Sequence, residues 1–214
     1  MKSTLLILAL VVCSCTWAQK SQISIYGSYV FDDSFDSYYD PNEYYEGKIE
    51  GGLQWGVGYE YFVRPQIGIE LLYLRQDTKA PIRFSDGIFT GVRRVDFDLG
   101  LNYLLLGGTH HFRKAESPLE GFVGLSAGMM FGNLSNPENR NDENFTKFAW
   151  GVKLGGVYWT SDKIGIKLQA QMLSAVQAAG GGVYFGPYGA STGLSTYSTI
   201  YQFSLGGGLV YNIN

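Results

Sequence analysis

Eight stretches of this chain alternate strictly between a bulky apolar residue and a small, polar or charged one. A period of two forces extended strands with two unlike faces. Gln22 to Phe31 sets Ile23, Ile25, Tyr29 and Phe31 against Gln22, Ser24 and Ser28. Gly52 to Phe62 sets Leu53, Trp55, Val57, Tyr59 and Tyr61 against Gln54, Gly56, Gly58 and Glu60. Ile67 to Gln76 sets Ile67, Ile69, Leu71 and Tyr73 against Gly68, Glu70, Leu72 and Gln76. Arg94 to Phe112 sets Val95, Phe97, Leu99, Leu101 and Tyr103 against Asp96, Asp98, Gly100 and Asn102. The pattern returns in Gly121 to Gly132, Lys147 to Trp159, Ile164 to Ser174 and Tyr197 to Ile213.

The face that points inward separates a soluble fold from a membrane-spanning one. A soluble sandwich or ligand-binding barrel would tuck its bulk inside and leave Glu60, Glu70, Asp96, Asp98, Lys153 and Lys167 on the surface. An eight-stranded barrel has too narrow an interior for that many large side chains, whereas Gly and Ser suit a crowded inner face. Charged residues make up 16% of the chain, against about 25% in ordinary soluble domains. Aromatics reach 15% and there are 29 Gly. The expectation is therefore an all-β protein, an eight-stranded antiparallel up-and-down transmembrane β-barrel, with bulk toward lipid. The links at Val63–Gln66, Arg113–Leu119 and Thr160–Lys163 are short, and those at Asp32–Lys48, Asp77–Arg93, Asn133–Thr146 and Gln177–Thr196 are long. Short periplasmic turns and long outer loops are the pattern of outer-membrane barrels. Tyr59, Tyr61, Phe62, Tyr158 and Trp159 near the turns, with Trp55, Tyr73 and Trp150 toward the other rim, are candidate interface girdles.

The N-terminus reads as an address. Met1-Lys2 is a short basic start, Leu5 to Val12 an apolar core, and Thr16-Trp17-Ala18 a cleavage site, so residues 1–18 form a secretory signal peptide and 19–214 the barrel domain. Both cysteines, Cys13 and Cys15, fall in the leader, leaving a mature chain without thiol chemistry. A rival reading lipidates Cys15.

The mature chain resembles the small eight-stranded outer-membrane barrel families of Gram-negative bacteria. The ending Ser204-Leu-Gly-Gly-Gly-Leu209-Val-Tyr211 looks like the terminal-strand signal of such barrels, although it continues to Asn214. The run Gly180-Gly-Gly-Val-Tyr-Phe-Gly-Pro-Tyr188 is similar to barrels of the Bacteroidetes group. The resemblance implies localisation in the cell outer membrane after export. It also implies contact with outer-membrane lipid and lipopolysaccharide, and handling by the barrel-assembly machinery during biogenesis.

With lipid outside, the opposite face fills the bore. Glu60, Glu70, Asp96 and Asp98 then meet Arg94, Lys147, Lys153 and Lys167 as a lumen charge network, a ladder of cross-bore ion pairs in which Lys153 faces Asp98. A charge in a narrow, dry lumen requires a partner. The alternative is local pairing through trapped water.

Catalytic signals are sparse. His110 and His111 are the available imidazoles, and they lie by a short turn. Neighbours on a strand face opposite ways, so they do not form a joint metal site. The acidic, Tyr-rich stretch from Asp32 to Glu46 lacks the spacing of a calcium loop. No cofactor is expected. The net charge of −3 carries no basic excess, so no nucleic-acid partner is expected either. The leading functional expectation is a non-enzymatic outer-membrane protein supporting envelope integrity or surface interaction through its long loops. Alternatives are an accessory subunit bound to other outer-membrane proteins, a narrow pore, and a lipid-modifying enzyme.

Overall fold

The computed structural model describes residues 20–40, 43–85, 93–114, 116–135, 142–176, 182–186, 189–193 and 200–213, with backbone alone within 33–48, 82–96, 142–143 and 176–200. The leader assigned to residues 1–18 lies outside the described residues.

Twelve strands run through the described residues. They are β1 (Ser21–Val30), β2 (Asp33–Asp40), β3 (Glu43–Ile49), β4 (Gly52–Arg64), β5 (Ile67–Ser85) and β6 (Arg93–Arg113). They continue as β7 (Leu119–Ser135), β8 (Asp142–Trp159), β9 (Ile164–Val176), β10 (Gly182–Gly186), β11 (Gly189–Gly193) and β12 (Ile200–Asn212). Eight of them close into a cylinder in which every neighbour is antiparallel: β1, β4, β5, β6, β7, β8, β9 and β12, with β12 returning to β1. Closure pairs every strand with two neighbours and removes the open edges that hydrocarbon would not tolerate.

The outward face is apolar. Leu53 is 78% exposed, Leu125 and Leu168 each 67%, and Ile25, Leu106 and Leu209 stand out with them. Along β7 the outward apolar set runs from Leu119 to Phe131. At about 3.3 Å per residue and a tilt near 40° that spans roughly 30 Å, enough to cross a membrane. This is a transmembrane β-barrel.

Seven barrel strands keep the expected facing, and the fourth stretch does not. On β6 the side chains of Phe97, Leu99, Leu101, Tyr103 and Leu105 are buried, as are Thr109 and His111 further along, while Asp98 and Leu104 are exposed. Asp98 is therefore a correction: it belongs to the outer surface, not to the lumen. The physical reason is that Leu104-Leu105-Leu106 makes the strand apolar on both faces, so periodicity cannot select one. Pairing with β5 and β7 selects it instead, setting Leu99 opposite Thr78 and Leu134. Phe62 and Trp159 are also corrected, because both are buried on the inward face rather than in a girdle.

Part of what reads as long loops is strand. β2 and β3 form a hairpin, and β3 pairs with the far end of β5 from Tyr44↔Ser85 to Gly47↔Ile82. β10 and β11 form a separate two-stranded sheet. The opposite rim is tight. There the Phe62, His111, Trp159 and Asn212 amides donate to the carbonyls of Lys20, Gln66, Pro118 and Lys163, at 2.8–3.0 Å.

The bore is filled in two zones. Toward the long-loop rim lies an apolar plug that includes Leu72, Leu74, Leu99, Leu101, Phe97 and Leu134. Toward the short-turn rim the filling is polar and charged.

Candidate functional site: the charged half of the bore and its mouth

Alternation places Glu60 of β4, Glu70 of β5, Thr109 and His111 of β6, Glu120 of β7, Lys153 of β8 and Lys167 of β9 on the inward face, all buried. Two clusters result. In the deeper one the Lys153 ammonium crosses the bore to the Glu70 carboxylate, and Lys167 Nζ lies 3.9 Å from the other Glu70 oxygen. Lys153 thus pairs with Glu70 rather than with Asp98. Both ammonium groups also face the Phe122 ring, at 5.8 Å and 4.6 Å from its centroid. An aromatic face is a favourable surface for a desolvated cation.

The second cluster sits nearer the mouth. His111 Nε2 is 2.9 Å from Glu60 Oε1, and His111 Nδ1 is 2.6 Å from Glu120 Oε1. Each ring nitrogen faces a carboxylate, so the imidazole cross-links β4 and β7 from a strand between them. Thr109 donates its hydroxyl to Glu60, and Trp159 Nε1 donates to Glu120 Oε2 at 2.8 Å. Phe62 and Phe122 enclose the imidazole, at 5.0 Å and 5.8 Å between ring centroids. His110 points the other way, against Phe112 at 4.6 Å.

Above the charges is a neutral polar layer. Tyr103 Oη donates to Gln202 Oε1 at 2.6 Å, and Gln202 Nε2 donates to Gln76 Oε1 at 2.8 Å. Lys147 lies higher on β8, 5.8 Å from the Phe145 ring. The side chains of Arg94 and Asp96 lie outside the described residues.

Reading the sequence missed His111, Thr109 and Glu120. The first two were hidden by the facing assigned to the fourth stretch. Glu120 shares the parity of Gly124 and Ser126, but it precedes the stretch that begins at Gly121. Extending that alternation by one residue would have found it.

The mouth itself is a recess of about 410 Å³, walled by Lys20, Gln66, Arg113, Lys114, Glu116 and Glu120 among others. Lys20 Nζ sits 5.2 Å from the Phe62 ring and 5.0 Å from the Trp159 ring. Burial holds this ammonium below the ordinary lysine range. The Glu120 carboxylate works against that shift and the Arg113 guanidinium adds to it.

Fold and outward apolar band together define a transmembrane barrel of the outer-membrane type. The chain is similar to neisserial surface protein A, with a TM-score of 0.58 at 10% identity over 91% of this chain and 99% of that one. It is similar to OprG of Pseudomonas aeruginosa, with a TM-score of 0.59 at 13% identity over 92% and 97%. It is also similar to the protease OmpT of Escherichia coli, with a TM-score of 0.51 at 9% identity over 91% and 96%. Likeness at these identities is a likeness of fold. No protein-family model and no curated protein matches the chain.

Proposed function

We propose that this chain is a non-enzymatic integral protein of the outer membrane, exported on the 1–18 leader. In this reading the barrel is a sealed scaffold that serves envelope integrity or surface interaction through the segments at its long-loop rim. The observation that carries the reading is the filled bore: Leu101 and Leu105 are 0% exposed in the apolar plug, and Glu70 is 1% exposed in the charged half. A bore packed with side chains and internally paired charges is built for rigidity rather than passage. In this orientation the short turns face the periplasm. His111 then sits at the periplasmic end, held between two carboxylates, away from the long segments. That placement favours a structural role over chemistry at the outer leaflet, even though one fold relative is a protease. Outer-membrane lipid and lipopolysaccharide would surround the apolar band, and the assembly machinery would read β12.

The test is purification in mild detergent followed by mass spectrometry and planar-bilayer recording. A lone, electrically silent monomer is expected. A stoichiometric outer-membrane partner would move the reading to an accessory subunit, and steady conductance would move it to a pore. N-terminal sequencing should begin at Gln19.

A further inference from the structure

Three cations converge on the recess at the short-turn mouth without a matching set of anions. Lys20 and Lys114 make no ion pair among the described residues, and Arg113 makes only a long one, 3.8 Å to Glu120. The Glu120 carboxylate is already engaged by His111 and by the Trp159 indole. That leaves exposed Glu116 as the remaining acid on the wall. Lys20 is half-buried between two aromatic rings, which fix its position, and Glu120 and Glu60 act on it through space without forming an ion pair. A partly desolvated cation that has Arg113 nearby and no ion pair of its own is costly unless an anion joins it.

We propose that this recess is a binding site for a phosphate group, gripped by Lys20, Arg113 and Lys114. With Glu116 and Glu120 counted, the wall carries one net positive charge, and the α-ammonium left by cleavage after Ala18 raises it to two, which a doubly charged oxyanion offsets and a single carboxylate does not. Arg113 supplies a planar fork for two phosphate oxygens, and the lysines act as point charges. The site stands on the geometry of the mouth. Its periplasmic exposure rests on the reading above, under which cleavage after Ala18 also sets a new α-ammonium one residue from Lys20. The phosphate could come from a free phosphate compound or from the headgroup of an inner-leaflet phospholipid.

Trp159 is a built-in reporter, since Lys20 lies over its ring and Glu120 accepts from its Nε1. The mature protein carrying Trp55→Phe and Trp150→Phe is titrated in zwitterionic detergent with inorganic phosphate and pyrophosphate. Sodium chloride of equal ionic strength is the control. A second arm reconstitutes the same protein in nanodiscs of phosphatidylcholine with or without phosphatidylglycerol. Saturable change in Trp159 emission with either phosphate source upholds the site, and the arm that responds identifies the source. Lys114→Gln lies in an exposed turn and should not disturb folding. It should weaken binding about tenfold, the worth of one charge-assisted hydrogen bond. Lys163→Gln, in another short turn, should leave binding unchanged. A response matched by chloride, no response in either arm, or equal affinity in Lys114→Gln would overturn the proposal.

Discussion

Glu60 on β4 and Glu70 on β5 stand directly opposite one another, both buried on the inward face of the barrel. Two carboxylates in that relation repel, and low dielectric sharpens the repulsion. The barrel resolves the conflict by giving each acid its own donors from other strands. Glu60 takes His111 and Thr109, while Glu70 takes Lys153 and Lys167. The bonds that neutralise the pair therefore also tie β4, β5, β6, β8 and β9 across the bore.

This arrangement ranks two substitutions. Lys153→Met leaves Glu70 with the longer Lys167 contact, and it should lower stability by about 3–5 kcal/mol, the usual loss when one partner of a buried pair is removed. Glu70→Gln strands two ammonium groups and should cost more. Urea unfolding of both variants in lipid vesicles checks the order, and equal or negligible losses would count against the shared role of Glu70.

His111→Leu deprives Glu60 and Glu120 of their common donor at once. A loss of about 3–5 kcal/mol is expected from two stranded carboxylates. Because the cost comes from the acids left behind, adding Glu60→Met should restore part of it. A double variant with the two losses simply added would show that His111 and Glu60 are uncoupled.

The facing of β6 can be read by labelling, since residues 19–214 contain no cysteine. Asp98→Cys should react rapidly with a membrane-impermeant maleimide on intact cells. Leu99→Cys, beside it but 5% exposed in the plug, should resist until the barrel unfolds. The reverse result would restore the facing expected from the sequence.

Glycines on the two faces should respond in opposite ways. A methyl at Gly68 would overlap the Glu60 carboxylate and the Thr109 hydroxyl, so Gly68→Ala should destabilise by about 1–3 kcal/mol through overpacking. Gly27 is exposed on the outer face with nothing within 4 Å of an added methyl. There Gly27→Ala should be neutral or stabilise by up to about 1 kcal/mol, by restricting the unfolded chain. Equilibrium unfolding of the two variants side by side measures the difference.

The chain by itself determined that this protein is a barrel with its bulk turned outward. In seven of the eight stretches alternation gathers most of the bulk on one parity, and a narrow cylinder has no room for all of that bulk inside. Alternation is a local property, so β1, β4 and β12 could be read residue by residue. Three things were decided only by tertiary structure. The facing of β6 depended on its neighbours, because its own three leucines satisfy either side. The identity of each ion pair depended on closure, because strand register and stagger decide that Lys153 meets Glu70 and not Asp98. The cluster of Lys20, Trp159, Glu120 and His111 exists only because the cylinder brings the ends of β1, β6, β7 and β8 to a single rim. Residues as far apart in the chain as Lys20 and Trp159 meet there, and no spacing along the sequence records it.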